Sequence, residues 1–183
     1  MDIDNMKIAI DAGHGGDNSG ATGVTTKIQE KKYTLLIAQE LQKELLKEDA
    51  TVFMTREKDT ALSMIERVEM VKKEDPDFLI SIHLNSSVRD SIKGVSTYYR
   101  YIGFRPLSQY ILNSMVELGL VEFGNVGNFN FTLSGPTDYP NCLVEVAFLS
   151  NKEDEKLILD PEFHKAVAKQ ITEGIKKWLK SCK

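Results

Sequence analysis

Two histidines stand where strands give way to loops. His14 lies in Asp11-Ala-Gly-His-Gly-Gly16, directly after Lys7-Ile-Ala-Ile-Asp11, and His83 closes Asp77-Phe-Leu-Ile-Ser-Ile-His83. Open α/β sheets bind ligands at the carboxyl ends of their strands, so the two imidazoles could share one site. A metal there would still lack a ligand: zinc in catalytic sites commonly takes three protein ligands and a water, and two histidines with one glutamate is a known set. Glu30, which follows a Gly-rich loop and opens a helix, is the candidate third ligand. Spacing alone favours reading it as an acidic residue that complements the helix dipole, and the histidines read equally well as ordinary strand-end residues. The third histidine, His164, sits beside Lys165 in a helical stretch and is expected to be exposed.

A fourth residue raises a different question. Glu145 interrupts the apolar run Cys142-Leu-Val-Glu-Val-Ala-Phe148, and an unpaired buried carboxylate costs several kcal/mol or changes its protonation state. Strand alternation puts Cys142, Val144, Val146 and Phe148 on one side, with Leu143, Glu145 and Ala147 on the other. A nearby dication would offset the cost of burying the charge, and a carboxylate beside a metal-activated water is a general base for hydrolysis. A salt bridge to Arg56, Arg67 or Arg100 would also account for it. The Gly-rich loop itself has the G-x-x-x-x-G spacing of a phosphate-binding loop from Gly15 to Gly20. Ala21 stands where the lysine belongs, which argues against nucleotide. Its glycines suit a backbone that passes close to a metal or a substrate.

The elements that must hold these residues alternate between strand and helix. Leu35, Ala38, Leu41 and Leu45 mark a helix over 30–48, and 51–55 reads as a strand. Leu62, Ile65, Val68 and Val71 trace the face of a second helix. Residues 77–83 are near-continuously apolar, as in a strand covered on both faces, and 94–100 reads as a polar-alternating strand nearer an edge. Leu107, Ile111, Met115 and Leu118 mark a third helix. Residues 121–139 read as loop with one short strand over 130–133. A closing helix begins at Pro161 and presents Phe163, Val167, Ile171, Ile175 and Trp178. This alternation predicts one α/β domain, a twisted sheet with helices on both faces. Residues 1–6 are expected to be a leader, 7–180 the domain and 181–183 a tail.

Composition narrows the partners. The 183 residues are 42% hydrophobic and 27% charged with net charge −4, which gives no reason to expect nucleic acid or an anionic membrane. No segment approaches the ~20 apolar residues of a membrane span, and the first six residues lack the basic and apolar regions of a signal peptide. The two cysteines, Cys142 and Cys182, form no C-x-x-C pair and are expected to be a buried and a loose thiol.

Five stretches in order carry a resemblance: IAIDAGHGG (8–16), the glutamate in QEKKYTLLIAQEL (29–41), TREKD (55–59), SIHLNSS (81–87) and LVEVAFLSNKEDEKLI (143–158). Together they resemble the zinc-dependent N-acetylmuramoyl-L-alanine amidases of the Amidase_3 type, over the span from Lys7 to Leu179. The resemblance implies a mixed six-stranded sheet flanked by helices. It implies that His14, Glu30 and His83 hold one Zn2+ per chain and that Glu145 is the catalytic carboxylate. The zinc would hold a water and polarise the scissile carbonyl, and Glu145 would pass the water's proton to the leaving alanine nitrogen.

The implied partners are peptidoglycan glycan strands and stem peptides, met in the cell envelope, with an activator or targeting protein as a further partner and the chain itself a monomer. Asp11 and Asn85, beside the ligand histidines, could orient a ring or the substrate; Asp11 could instead serve the turn backbone. Many relatives carry an arginine in an N-R-G-V-like stretch. The nearest match here, Gly124-Asn-Val-Gly127, has none, which leaves substrate positioning open. The short stretch from His83 to Glu145 leaves little space for an occluding helix, so an open groove is expected. Two other readings remain: a peptidoglycan-binding or regulatory protein on a degenerate amidase domain, and a zinc peptidase of another type, for which H-E-x-x-H is missing.

Overall fold

Strands that are apolar on both faces need helices on both, and the chain supplies them by alternation. The computed structural model describes residues 1–182. Its strands are β1 (Lys7–Ala12), β2 (Thr51–Met54), β3 (Phe78–Asn85), β4 (Val95–Tyr98), β5 (Glu122–Val126) and β6 (Asn141–Phe148). They form one mixed sheet in the order β2-β1-β3-β6-β4-β5. β2, β1, β3 and β6 run parallel, while β4 is antiparallel to β6 and parallel to β5. The five helices are α1 (Glu30–Lys47), α2 (Met64–Glu74), α3 (Arg105–Val116), α4 (Lys152–Ile158) and α5 (Pro161–Ser181).

The larger core lies on one face, where α5 packs against both α1 and α3. Leu41 and Leu45 of α1, Ile111 of α3 and Ile171 and Ile175 of α5 meet Ile8, Ile10, Ile80 and Val144 of the sheet there. Ile3 is buried in the same cluster. On the other face, Val71 of α2, with Leu133 and Tyr139, covers Ala9 and Leu79. Caps fix the helix starts: Ser63 and Glu66 close a reciprocal capping box on α2, Asn151 caps α4, and Asp160 caps α5 just before Pro161.

Several expectations from periodicity need correction. Leu62 precedes α2, and Ile65 is exposed; the buried face of that helix is Arg67 and Val71. A cation does the work assumed for an aliphatic stripe, because Arg67 is needed under the site described below. β4 is second from the edge and wholly buried, since the loop-like stretch after α3 contributes β5 outside it. The hydroxyl of Thr97 is satisfied by donation to Ser108 O (3.1 Å) or Asn125 Oδ1 (3.2 Å). Residues 132–134 form a 3-10 turn where a strand was expected. Helix α4, too short for a periodic signal, was not anticipated. In β6 the register against β3 slips after His83–Glu145, so that Asn85 pairs with Phe148. This bulge breaks the strand alternation and turns Ala147 into the larger core beside Val146. Ser181 ends α5, and Lys183 of the expected tail lies outside the described residues.

The two faces of α2 respond differently to truncation. Val71→Ala is expected to cost about 2 kcal/mol through lost burial, and Ile65→Ala to stay within ~0.5 kcal/mol. The check is the midpoint shift in denaturant unfolding at unchanged slope.

Candidate metal centre and active site

β1 and β3 lie side by side and end together, so Gly13 and His14 meet the end of β3. The loop after β1 turns sharply. His14 has φ +62°, a conformation that a branched or bulky residue rarely adopts. Two buried arginines hold it there. Arg56 donates from Nε to Ala12 O (2.9 Å) and from Nη2 to Gly13 O (2.8 Å). Arg67 donates to Ala12 O and to His14 O. Its charge is balanced by Asp11, 2.6 Å away and equally buried. Burial alone would raise the Asp11 carboxyl; the charges of Arg67 and His83 and hydrogen bonds from Arg67 and Thr55 bring it below its usual value.

Glu30 reaches into this turn from the first residue of α1. Its Oε2 lies 3.0 Å from His14 Nε2 and its Oε1 3.0 Å from His83 Nδ1. The same oxygens accept backbone N–H groups of Ala21 (2.8 Å) and Leu84 (2.9 Å). Burial works against the charged form, but hydrogen bonds with both histidines and their charges outweigh it and hold the carboxyl down at about 2. One donor atom from each of His14, Glu30 and His83 falls within 4.8 Å of the others, a group able to hold a metal ion. Asn18 Oδ1 lies 2.9 Å from His14 Nδ1, which leaves Nε2, facing Glu30, as the nitrogen able to take a metal. His83 is seated against the chain itself: a Cβ on Gly13 would come within 2.4 Å of its ring.

Glu145 is the register partner of His83, and the bulge follows directly after it. Its Oε2 is buried without a hydrogen-bond partner. Burial pushes the carboxyl up to about 7; the nearby Glu30 charge adds to this, and His83 and His14 oppose it. The salt-bridge reading of Glu145 fails for the two buried arginines, because Arg56 and Arg67 point to β1 and its loop. A cavity of about 300 Å³ adjoins the histidines, lined by Met64, Phe131, Leu133 and Leu143 among others.

The sequence candidates therefore divide. His14, Glu30, His83 and Glu145 come together. Asp11 bonds neither a histidine ring nor the turn backbone: its oxygens accept from Arg67, Thr55 and Ser81. Asn85 turns to Tyr98 and to the Ser86 N–H. His164 is buried, not exposed, with Nε2 2.7 Å from Ile158 O, and packs edge-on to Tyr33 far from this loop in sequence. Asn125, in the stretch that lacks the arginine, accepts from Thr97 and Ser108 under α3. Sequence reasoning named Arg56 and Arg67 only as salt-bridge partners for Glu145, and it passed over Asn18. The TREKD stretch carried a signal for Arg56, whereas Arg67 lay off the helix face read from periodicity.

Arg67→Ala would leave Asp11 charged and buried without its counter-ion, and the His14 carbonyl without its donor, while Ala12 O keeps Arg56. The expected loss is about 3–5 kcal/mol of unfolding free energy, with recovery of part of it in the Asp11→Ala, Arg67→Ala double variant, read by the same denaturant titration.

Comparison with known proteins agrees with this geometry. Residues 8–177 match the family described as Amidase_3, N-acetylmuramoyl-L-alanine amidase. A probable cell wall amidase, LytH of Staphylococcus epidermidis, is 33% identical over 175 residues, which is 95% of this chain and 58% of that protein. The chain thus spans little more than half the length of this curated relative. The catalytic domain of CwlV, an N-acetylmuramoyl-L-alanine amidase from Bacillus (Paenibacillus) polymyxa var. colistinus, superposes with TM-score 0.90 at 32% identity, covering 96% of this chain and 98% of that one. The CwlD amidase from Clostridioides difficile, solved in complex with the GerS lipoprotein, superposes with TM-score 0.92 at 26% identity, covering 97% and 100%. A sheet of this order, carrying this cluster, and a match over nearly its whole length place the chain in the N-acetylmuramoyl-L-alanine amidase family, Amidase_3.

Proposed function

We propose that this chain hydrolyses the amide between N-acetylmuramic acid and L-alanine in peptidoglycan, with zinc held by His14, Glu30 and His83. The observation that carries the reading is Glu145: a buried carboxylate oxygen without a partner, beside a two-histidine, one-carboxylate cluster. A structural carboxylate would be paired, whereas a general base needs a free oxygen and an elevated pKa. The donor set fits zinc, for which two histidines and a glutamate are an established combination. When bound, zinc would supply a Lewis acid that lowers the pKa of a water and polarises a carbonyl.

The remaining work belongs to the chain. Asn18 and the Gly13 backbone hold the two imidazoles in place. The Ala21 and Leu84 N–H groups keep Glu30 ionised and facing them. Glu145 Oε2 takes a proton from the attacking water and returns one to the leaving alanine nitrogen, so the amine departs neutral. The substrate places this activity in the cell envelope, and the partnership of CwlD with a lipoprotein supports an activator for this chain as well. Among the described residues no helix is long and apolar enough to cross a membrane.

Digestion of purified peptidoglycan tests the reading. New alanine amino groups are expected, and release of reducing sugar ends in their place would contradict it. Glu145→Gln should lower kcat by about 10²–10⁴-fold. The general base must be ionised, so the wild-type rate should rise with pH through the Glu145 pKa. A bound cation favours the carboxylate, so this limb is expected below pH 7, and it should vanish from the residual activity of the variant.

A further inference from the structure

Beyond the metal cluster, a strip of aromatic rings leads outward from His83. Phe131 lies nearly parallel to the His83 ring, at an interplanar angle of 19° with centroids 6.3 Å apart. Phe129 packs on Phe131 at 4.4 Å and edge-on to Tyr98 at 4.8 Å. Neither phenylalanine joins either hydrophobic core, and Phe129 is 37% exposed. The strip is nonetheless held in place. Phe129 N–H donates to Tyr99 O (3.2 Å), and a Cβ on Gly127 would collide with the Tyr99 ring. The 3-10 turn that follows is tied down by Tyr101, whose hydroxyl donates to Gly135 O (3.0 Å). Rings that are rigid, partly exposed and continuous with a reaction centre are the composition of a recognition surface, not of a core.

We propose that Phe129 and Phe131 form the wall on which the pyranose ring of the muramoyl residue stacks, setting its lactyl amide at the His14–Glu30–His83 cluster. The inference rests on the amidase reading and names how that site recognises its sugar. A pyranose presents a face of C–H groups that packs on an aromatic ring without losing its equatorial hydroxyls to a dry environment. The stem peptide, which carries carboxylates, would gain little from a strip built of neutral rings. The wall also offers an anchor in a chain whose Gly124-Asn-Val-Gly127 stretch contains no arginine, and whose Asn125 is committed beneath α3.

The test compares kcat/KM for a muramoyl-peptide with that for the matching lactoyl-peptide, which keeps the scissile amide and lacks the sugar. Phe129→Ala should reduce the preference for the sugar-bearing substrate about five- to tenfold, the size of one aromatic contact, and Phe129→Tyr should restore it. Binding of peptide-free glycan oligomers should weaken by a similar factor in Phe129→Ala. A preference unchanged by Phe129→Ala, whatever happens to the overall rate, would overturn the proposal by making the ring a structural one. Hydrolysis of neither substrate by the wild type would instead overturn the amidase reading and this inference with it.

Discussion

The site depends on two guanidinium groups buried under one loop. Arg56 and Arg67 together accept the task of satisfying the carbonyls of Ala12, Gly13 and His14, which the left-handed turn at His14 removes from any regular ladder. Burying a cation is costly unless it is paired and fully hydrogen-bonded, and Asp11 supplies the counter-charge from the strand that the loop leaves. The consequence is rigidity where the chemistry needs it: His14 is aimed by backbone that cannot relax without exposing or orphaning these charges.

Electrostatics around that frame sort two glutamates into opposite states. Glu30 is surrounded by donors, two imidazoles and two backbone N–H groups, and burial fails to neutralise it. Glu145, on strand β6, finds no donor for its buried oxygen and is driven up to about 7 by its burial. One carboxylate thus stays charged while the other is pushed toward its neutral form, the separation that the proposed hydrolysis would use. The bulge after Glu145 contributes to this, because it lets the strand present the carboxylate to His83 and then return Ala147 to the core.

Much of this was legible in the residues themselves. Apolar periodicity located α1, α3 and α5, and the near-continuous apolar run of β3 announced a strand covered on both faces. His14, His83 and Glu145 stood out as polar residues at the end of a strand or inside one, whereas Glu30 was marked by its place between a Gly-rich loop and a helix and by the family resemblance. What could not be read was whatever depends on three-dimensional company. Nothing local marks Arg67 as the residue beneath the loop, or tells that Asp11 would serve it and not the turn. The Glu122–Val126 strand is half-exposed and contains Gly124 and Asn125, so its pattern resembles a loop until β4 pairs with it. His164 looked exposed beside Lys165, yet the carbonyl of Ile158 at the end of α4 gives its ring a buried partner.

The central claim is that His14, Glu30 and His83 exist to bind a cation that makes the neighbouring carboxylate useful. The most direct measurement is zinc bound per chain after dialysis, in the wild type and in a His14→Ala, His83→Ala variant, with folding of both checked by circular dichroism. The account predicts about one zinc per wild-type chain, as for a three-ligand catalytic site, and none retained by the folded variant. A folded wild type that stays metal-free when zinc is supplied, or a variant that binds it as well, would contradict the account.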